Sequence, residues 1–311
     1  MLIGILASFF FASTFVINRA MDLSGGSWIW SASLRYVFMV PFLLVIVLMR
    51  RNWKPLYDEM RSHLKQWIGW SFIGFVLFYA PICYAAAYSP AWLVAGTWQV
   101  TIIAGSLLVP LFGRKIPFKG LSMSLIILVG VALMQADYAN EVGAGELLSG
   151  IIPVVIAAFA YPLGNRKMMV VTGGRLDAYQ RVLGMTIASM PFWFILSLFG
   201  FFTVGLPSIE QANQTIIVAL SSGVIATGLF FTATDLARDS VHQLAAVEAT
   251  QAGAVIFTVL GEWVILSGQL PTGWAFIGII LVVGGMVLHS YLSNGRKVAL
   301  RPILADSHKR T

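Results

Sequence analysis

The 311-residue chain is 58% hydrophobic and only 11% charged, and its mean hydropathy is +0.83. Because soluble domains carry about 25% charged residues, a protein whose surface mainly faces water is excluded. The formal net charge of +7 fits either a nucleic-acid or an anionic-lipid partner, and the positions of the basic residues decide between them.

Ten apolar segments approach the length that a helix needs to cross a bilayer, which is roughly 20 mainly apolar residues. They lie at about residues 2–20, 28–49, 67–87, 91–112, 120–136, 146–165, 176–201, 211–235, 241–266 and 272–293. The first has no preceding basic stretch, so we expect a retained spanning helix rather than a secretory signal. The connections are short, and the longest is the hydrophilic stretch 50–66. We predict an all-α integral membrane protein of ten transmembrane helices.

The basic residues indicate the orientation, because Lys and Arg accumulate in cytoplasmic loops. With the N-terminus inside, every Lys and Arg except Arg19 and Arg35 falls in an inner segment. The outer connections carry acids instead, namely Asp22, Asp137, Glu141, Glu146 and Glu210. We therefore predict a multi-pass protein of the cytoplasmic (inner) membrane with both termini in the cytoplasm. The positive charge is a topology signal, and we expect no nucleic-acid partner.

The two halves of the chain contain a weak internal repeat. Asn18 near the end of the first predicted helix is matched by Asn165 in the sixth, 147 positions later. The stretch LIILVGVAL around Gly130 resembles IILVVGGMVL around Gly284 at an offset of 154. Proline positions repeat in the same order and at similar offsets. These matches predict that the protein consists of two related halves.

A repeat of five helices has an odd number of spans, so the second copy enters the membrane inverted relative to the first. We predict a first repeat over residues 1–140, an inverted second repeat over 141–295 and a basic cytoplasmic tail over 296–311. Transporters built from inverted repeats bind their substrate between the repeats, near the membrane midplane. The repeat therefore favours transport by alternating access.

Polar residues inside the predicted spans are candidates for the substrate or coupling site, because ionisable groups are costly in a membrane. Glu248 in the ninth span is the strongest candidate for a proton-coupling or cation-binding residue. We expect Gln251, Gln99, Trp98 and Tyr161 to line the same cavity. For Gln99 the alternative is hydrogen bonding between helices, and for the aromatic residues it is packing or contact with lipid.

Depth along the helices allows two charge pairs, Arg35 with Glu262 on the outer side and Arg181 with Glu248 on the inner side. We predict that these pairs are gate-like or structural bridges related by the repeat. Both arginines could instead extend to the lipid headgroups, and we expect this of Arg166, which lies nearer a helix boundary. Glu262 could also be a structural acid that hydrogen-bonds a neighbouring helix.

Three stretches of the chain, ILASFFFASTFVINRAM, SLRYVFMVPF and ATDLARDSVHQLAAVEATQAGAVIFTVLGEWVIL, carry a family resemblance. The chain resembles the drug/metabolite transporter superfamily in its EamA-like and multidrug-resistance-efflux branches, over nearly its whole length. The resemblance implies export of a small organic solute driven by an ion or solute gradient. Glu262 in LGEWVIL looks like the family's glutamate near the end of the ninth helix. The first helix lacks the glutamate of small multidrug-resistance proteins, so their proton–drug mechanism does not carry over.

Other classes of protein lack support in the sequence. There is no nucleotide-binding glycine motif for an ATP motor and no H-E-x-x-H motif for a membrane-embedded enzyme. The one cysteine and the dispersed histidines predict no metal site, and we expect no cofactor. We predict a proton-coupled secondary exporter of drugs or metabolites, with a narrow amino-acid or metabolite exporter and a non-transporting receptor or assembly factor as alternatives. The expected partners are the substrate and the bilayer, and a homodimer stays open as an alternative to a monomer.

Overall fold

The computed structural model describes residues 2–51, 53–113, 116, 118–237, 247 and 250–292, which form helices and connections without a strand among them. The helices of the first half are α1 (Leu2–Leu23), α2 (Trp28–Met49), α3 (Trp53–Ser62), α4 (Leu64–Ser71), α5 (Leu77–Tyr88), α6 (Ala91–Trp98), α7 (Thr101–Leu107) and α8 (Phe118–Tyr138). Those of the second half are α9 (Ala144–Thr172), α10 (Ala178–Val204), α11 (Ile209–Val218), α12 (Thr227–Ala237), α13 (Ala252–Leu266) and α14 (Gly273–Leu292).

Six helical stretches of the described chain are long and apolar enough to cross a membrane. They are Leu2–Leu23, Trp28–Met49, Leu64–Tyr88, Ala144–Thr172, Ala178–Val204 and Ile209–Phe230. The other four predicted spans correspond to shorter apolar stretches of 10–17 residues, namely Ala91–Leu107, Leu125–Tyr138, Ala252–Leu266 and Gly273–Leu288. The predicted all-helical class is confirmed, and six of the ten predicted spans have membrane-spanning length.

Three apolar stretches contain an interruption of the α-helix. α4 continues into α5 through a first π segment (Phe72–Val76), and α11 continues into α12 through a second π segment (Ala219–Ala226). These segments begin 147 positions apart, which is the spacing of Asn18 and Asn165. The third interruption is a turn between α6 and α7. Since π turns are rare and are often found at functional sites, the paired segments indicate a candidate site in the interior of the bundle.

The hydrophilic connection 50–66 forms a helix of its own, α3, whose Leu56 is fully buried. The Glu59 carboxylate of α3 accepts two hydrogen bonds from Arg175, Nε to Oε2 at 2.9 Å and Nη2 to Oε1 at 2.7 Å. Nδ1 of His63 lies 3.1 Å from Oε1 of the same carboxylate. The bidentate pair joins the first half of the chain to the connection between α9 and α10.

Side chains cap several helices at the ends of these stretches. Asp177 and Gln180 form a capping box at the start of α10, with each side chain accepting from the other residue's backbone N–H, at 2.8 and 2.7 Å. The Asp137 carboxylate accepts from the backbone N–H of Ala275 at 3.1 Å, in the first turn of α14. These acids satisfy N–H groups that have no partner inside a helix.

The buried apolar residues form two large clusters. One includes Trp92, Met134, Ala157, Val255 and Val282, from α6, α8, α9, α13 and α14. The other includes Tyr36, Trp67, Tyr79, Leu183 and Trp193, from α2, α4, α5 and α10. Each cluster takes helices from both halves of the chain. Neither half therefore forms a core alone.

Helices α8 and α14 pack at backbone distance through facing glycines. A β-carbon on Gly278 would lie 2.5 Å from the carbonyl oxygen of Gly130, and one on Gly130 would lie 2.6 Å from the carbonyl oxygen of Gly278. A β-carbon on Gly284 of the same helix would meet open space. Small residues permit such contact between membrane helices.

We expect Gly278→Ala to destabilise the protein by about 1–3 kcal/mol, because the added methyl overpacks the contact with α8. The matched control is Gly284→Ala, which adds the same methyl to the same helix in open space. Thermal unfolding of the purified variants in detergent measures the difference. Equal midpoints for the two variants would contradict the close packing of α8 on α14.

A pH effect follows from the pair between Glu59 and Arg175. Hydrogen bonding from Arg175 holds the pKa of the Glu59 carboxyl below its ordinary value, against the opposing effect of burial. A lowered pKa in the folded state means that the pair stabilises the fold above the ordinary glutamate pKa and ceases to do so as pH falls through the lowered value.

We therefore expect Glu59→Gln to be less stable than the wild type at neutral pH and equally stable in acid. The difference at neutral pH should be about 1 kcal/mol or less, because the Arg175 side chain is 54% exposed and solvent screens the pair. Unfolding midpoints measured across this pH range test the effect. Asp58→Asn, on an exposed neighbour in α3, serves as the control, and an equal pH-dependent loss there would refute the assignment to Glu59.

Candidate functional site

A cavity of about 460 Å³ lies where the two apolar clusters meet. Both halves of the chain line it: α1, α2, the first π segment, α5, α6 and α7 from the first, and α9, α10, the second π segment, α12, α13 and α14 from the second. A volume of this size lies within the range of about 300–1,000 Å³ that small-molecule sites occupy. The cavity is therefore the candidate substrate site.

The cavity extends from the middle of the bundle toward one face. Its lining continues along α9 to Arg166, along α12 to Phe230 and past α7 to Val109, near the ends that lead into basic connections. At the opposite face, no described residue in the first two turns of α6 or α9 lines it. The cavity therefore reaches the face of the bundle with the basic connections.

The polar part of the wall is built around Arg35, whose side chain belongs to α2. Arg35 is 5% exposed, and its Nη2 donates to Oγ of Ser222 in the second π segment at 3.0 Å. The Thr14 hydroxyl of α1 donates to the same Ser222 oxygen. The guanidinium carbon lies 3.9 Å from the ring centroid of Tyr79, in cation–π contact. We call Arg35, Ser222, Thr14 and Tyr79 the arginine cluster.

The apolar part of the wall is aromatic and contains two of the residues predicted for the site. Trp98 and Tyr161 line the cavity with ring centroids 5.6 Å apart, and Phe78 lies between them at 5.1 Å from Trp98 and 4.7 Å from Tyr161. The rings meet at tilted or edge-to-face angles, which favour aromatic contact. We call these three residues the aromatic wall.

Two predicted glutamines lie next to helix ends on the cavity. Gln99 lies in the turn between α6 and α7, is 2% exposed, and donates from Nε2 to the Ala95 carbonyl at 3.0 Å. Gln251 precedes α13, 152 positions later, and also lines the cavity. Glu248, the predicted coupling residue, lies outside the described residues. The structure thus brings Gln99, Gln251, Trp98 and Tyr161 to one cavity.

The predicted pair of Arg35 with Glu262 is absent from this conformation, since no ion pair of the described residues joins them. Arg35 contacts the arginine cluster, whereas Glu262 accepts from the backbone N–H groups of Ala91 at 3.1 Å and Trp92 at 2.9 Å. The carboxylate therefore caps the start of α6, where the positive end of the helix favours an anion. Arg181 of α10 does not line the cavity, and its predicted partner Glu248 is outside the described residues.

The residues of the wall that sequence reasoning missed include Arg166, Ser222 and Phe78. Arg166 was expected to extend to the headgroups, but it lines the cavity and donates from Nη1 to the Gly105 carbonyl at 2.6 Å. Ser222 carried no signal, since serines are ordinary in apolar helices.

The charge of the described lining is positive. It contains Arg35 and Arg166 and no Asp or Glu among the residues that the structure describes. In the same part of the chain, no three His, Cys, Asp or Glu side chains come close enough together to hold a metal ion. The described lining offers guanidinium groups, amides, hydroxyls and aromatic rings, which can bind an organic molecule.

A family model described as "Putative multidrug resistance efflux transporter" (EmrE) matches residues 1–295. The chain belongs to this family. It is accordingly a multi-pass membrane protein of a transporter family, and the predicted resemblance to the multidrug-resistance-efflux branch is confirmed.

Two relatives are similar over most of the chain. "Uncharacterized protein YjlA" of Bacillus subtilis (strain 168) is 58% identical over 308 residues, 95% of each chain. "Uncharacterized 42.1 kDa protein in intracellular alkaline protease 3'region" of Shouchella clausii is 51% identical over 263 residues, 81% of this chain and 69% of the relative. A solved structure described as "Crystal structure of protein" has a TM-score of 0.64 at 16% identity, covers 94% of this chain and 96% of its own, and supports the fold alone.

The hydrogen bonds that Glu262 accepts from Ala91 and Trp92 give this glutamate a structural role in the described conformation. We expect Glu262→Ala to lower the stability by about 1–2 kcal/mol, because two buried N–H groups at the start of α6 lose their acceptor. Glu262→Gln should lose less, since its amide oxygen still accepts one hydrogen bond. Thermal unfolding compares both with Glu141→Ala, which removes an exposed acid. A midpoint for Glu262→Ala equal to that of Glu141→Ala would rule out the capping role.

Proposed function

We propose that the protein is a secondary active exporter of small organic molecules that works by alternating access. The observation that carries the proposal is the cavity of about 460 Å³ between the two halves, whose described lining reaches one face of the bundle. A carrier needs a central site that one face can reach while the other is closed. Membership of an efflux transporter family supports the same conclusion.

We propose that the ten apolar stretches cross the membrane as two inverted repeats, over residues 1–140 and 141–295, with a cytoplasmic tail over 296–311. The paired π segments and the equivalent Gln99 and Gln251 support this relation. Packing supports it too, because α2 contacts α10 and α8 contacts α14. These are the second and seventh and the fifth and tenth stretches, which a two-fold axis between the repeats relates to each other.

We propose a cytoplasmic membrane location with both termini inside, on the strength of the basic connections. In this orientation the cavity reaches toward the cytoplasm, and the capped start of α6 lies on the outer side. A cytoplasmic substrate can then enter the cavity directly. The described conformation is therefore the loading state of an exporter in this proposal.

Protons are the proposed coupling ion, and Glu248 is the proposed carrier. The other acid of the ninth span, Glu262, is engaged by two backbone N–H groups, so it is the poorer candidate. The support for Glu248 comes from the sequence, in which it precedes the cavity residue Gln251 by three positions. A carboxyl at that position can take up a proton from one side of the membrane and release it to the other.

The test of transport is flux in liposomes that contain the purified protein and an imposed pH gradient. Amino acids, organic acids and lipophilic cations are screened as probes, with proton movement recorded in parallel. We expect saturable flux of at least one probe class, which Ser106→Trp reduces to the level of empty liposomes, because the indole fills the cavity beside α7.

Leu198→Trp is the matched control, because it adds the same ring at a 58% exposed position of α10 and should retain the flux. Flux without linked proton movement would count against proton coupling. If no probe moves in the wild-type protein, the result favours the receptor or assembly-factor alternative over transport.

A further inference from the structure

Arg35 is a buried cation with unused donors on the cavity wall. One of its nitrogens, Nη2, donates to Ser222. The other two, Nε and Nη1, carry three N–H groups and have no hydrogen-bond partner among the described residues. Buried donors are nearly always paired, so unpaired donors on a side chain that lines a cavity indicate an acceptor missing from the described residues. A bound ligand can supply that acceptor.

The ion pairs of the described residues leave Arg35 without a carboxylate. They join Arg19 to Asp22, Arg50 to Asp177, and both His63 and Arg175 to Glu59. The guanidinium of Arg35 lies over the face of the Tyr79 ring, and this contact offsets part of the positive charge. The ring accepts no hydrogen bond from the N–H groups, which lie in the plane of the guanidinium. Arg166 adds a second positive charge to the same lining. The described part of the cavity lining therefore attracts an anionic group.

The aromatic wall lies next to this positive region in the chain and in space. Phe78 of the wall precedes Tyr79 of the arginine cluster, and their ring centroids are 5.9 Å apart. Apolar surface dominates the rest of the lining, where Phe15, Met39 and Ile82 contribute side chains. A ligand that reaches Arg35 with its anionic group thus places its remaining atoms against aromatic and aliphatic side chains.

We propose that the substrate is an amphipathic carboxylate, whose anionic group binds the guanidinium group of Arg35 and whose apolar or aromatic body lies against the aromatic wall. This inference rests on the proposed function as an exporter and deepens it by assigning a substrate class. The guanidinium suits a carboxylate because its planar donors match the two carboxylate oxygens. A lipophilic cation would bring its charge close to Arg35 and Arg166, where like charges repel.

The test compares three probes with the same body and different head groups: 3-phenylpropionate, 3-phenylpropanamide and 3-phenylpropylamine. Binding to the full-length protein in detergent is followed by tryptophan fluorescence, to which Trp98 on the cavity wall contributes. We expect the carboxylate to bind at least about tenfold more tightly than the amide, as charge-assisted hydrogen bonds predict, and the amine to bind most weakly. Equal affinity of the three probes in the wild type overturns the proposal without recourse to any variant.

Arg35→Gln should remove the preference, so that the carboxylate and the amide bind equally. Arg35→Lys keeps the charge without the planar donors and should retain part of the preference. Arg61→Gln is the matched control, because it removes one positive charge from an exposed position of α3 and should leave the preference intact. Thermal unfolding of each variant confirms that it is folded. A full carboxylate preference in folded Arg35→Gln would overturn the assignment of the site to Arg35.

Flux separates this inference from the proposed function. If the wild type binds the carboxylate preferentially but moves no probe across liposomes, the anion site stands and transport fails. If it transports the lipophilic cation tetraphenylphosphonium and shows no preference for the carboxylate, transport stands and the anion site is overturned. Export of 3-phenylpropionate that Arg35→Gln abolishes, with Arg61→Gln active, supports both.

Discussion

Backbone polar groups have no water to bind inside a membrane, and this constraint determines where the helices of the bundle can be interrupted. Each interruption of the described chain contributes to the cavity: the first π segment through Phe75, the turn after α6 through Gln99, and the second π segment through Ser222. Their neighbours satisfy the freed groups, as when Thr227 donates to the Ser222 carbonyl at 3.1 Å. The three interruptions of the described helices therefore all border the cavity.

The helices could be predicted from the sequence because long apolar stretches have few alternatives in a bilayer. Trp98, Tyr161 and the two glutamines of the site could be predicted as well, since they are polar or bulky at mid-span depth. Phe78 could not, because a phenylalanine is typical of any apolar span. The partner of Glu262 could not, because the N–H groups that it accepts from belong to Ala91 and Trp92, some 170 positions away. The π segments were also beyond prediction, since their composition is that of any apolar helix.

The helices that line the cavity and the helices that pack beside it differ in their contacts. The described lining includes Met286 from α14 but no residue of α8, and these two helices are held together through Gly130 and Gly278 at backbone distance. This close packing is typical of a rigid pair of helices beside the site. The residues that distinguish one ligand from another, Arg35 and the aromatic wall, belong to other helices. Ligand selection and scaffolding are thus assigned to different parts of the bundle.

Each π segment winds more widely than an α-helix, because an added residue enters the turn. Since one residue of an α-helix corresponds to a rotation of about 100° about its axis, an added residue turns the side chains beyond it toward another side of the helix. Phe75 and Ser222 lie on the cavity within such segments. The π segments therefore determine which faces of the third and eighth stretches meet the cavity.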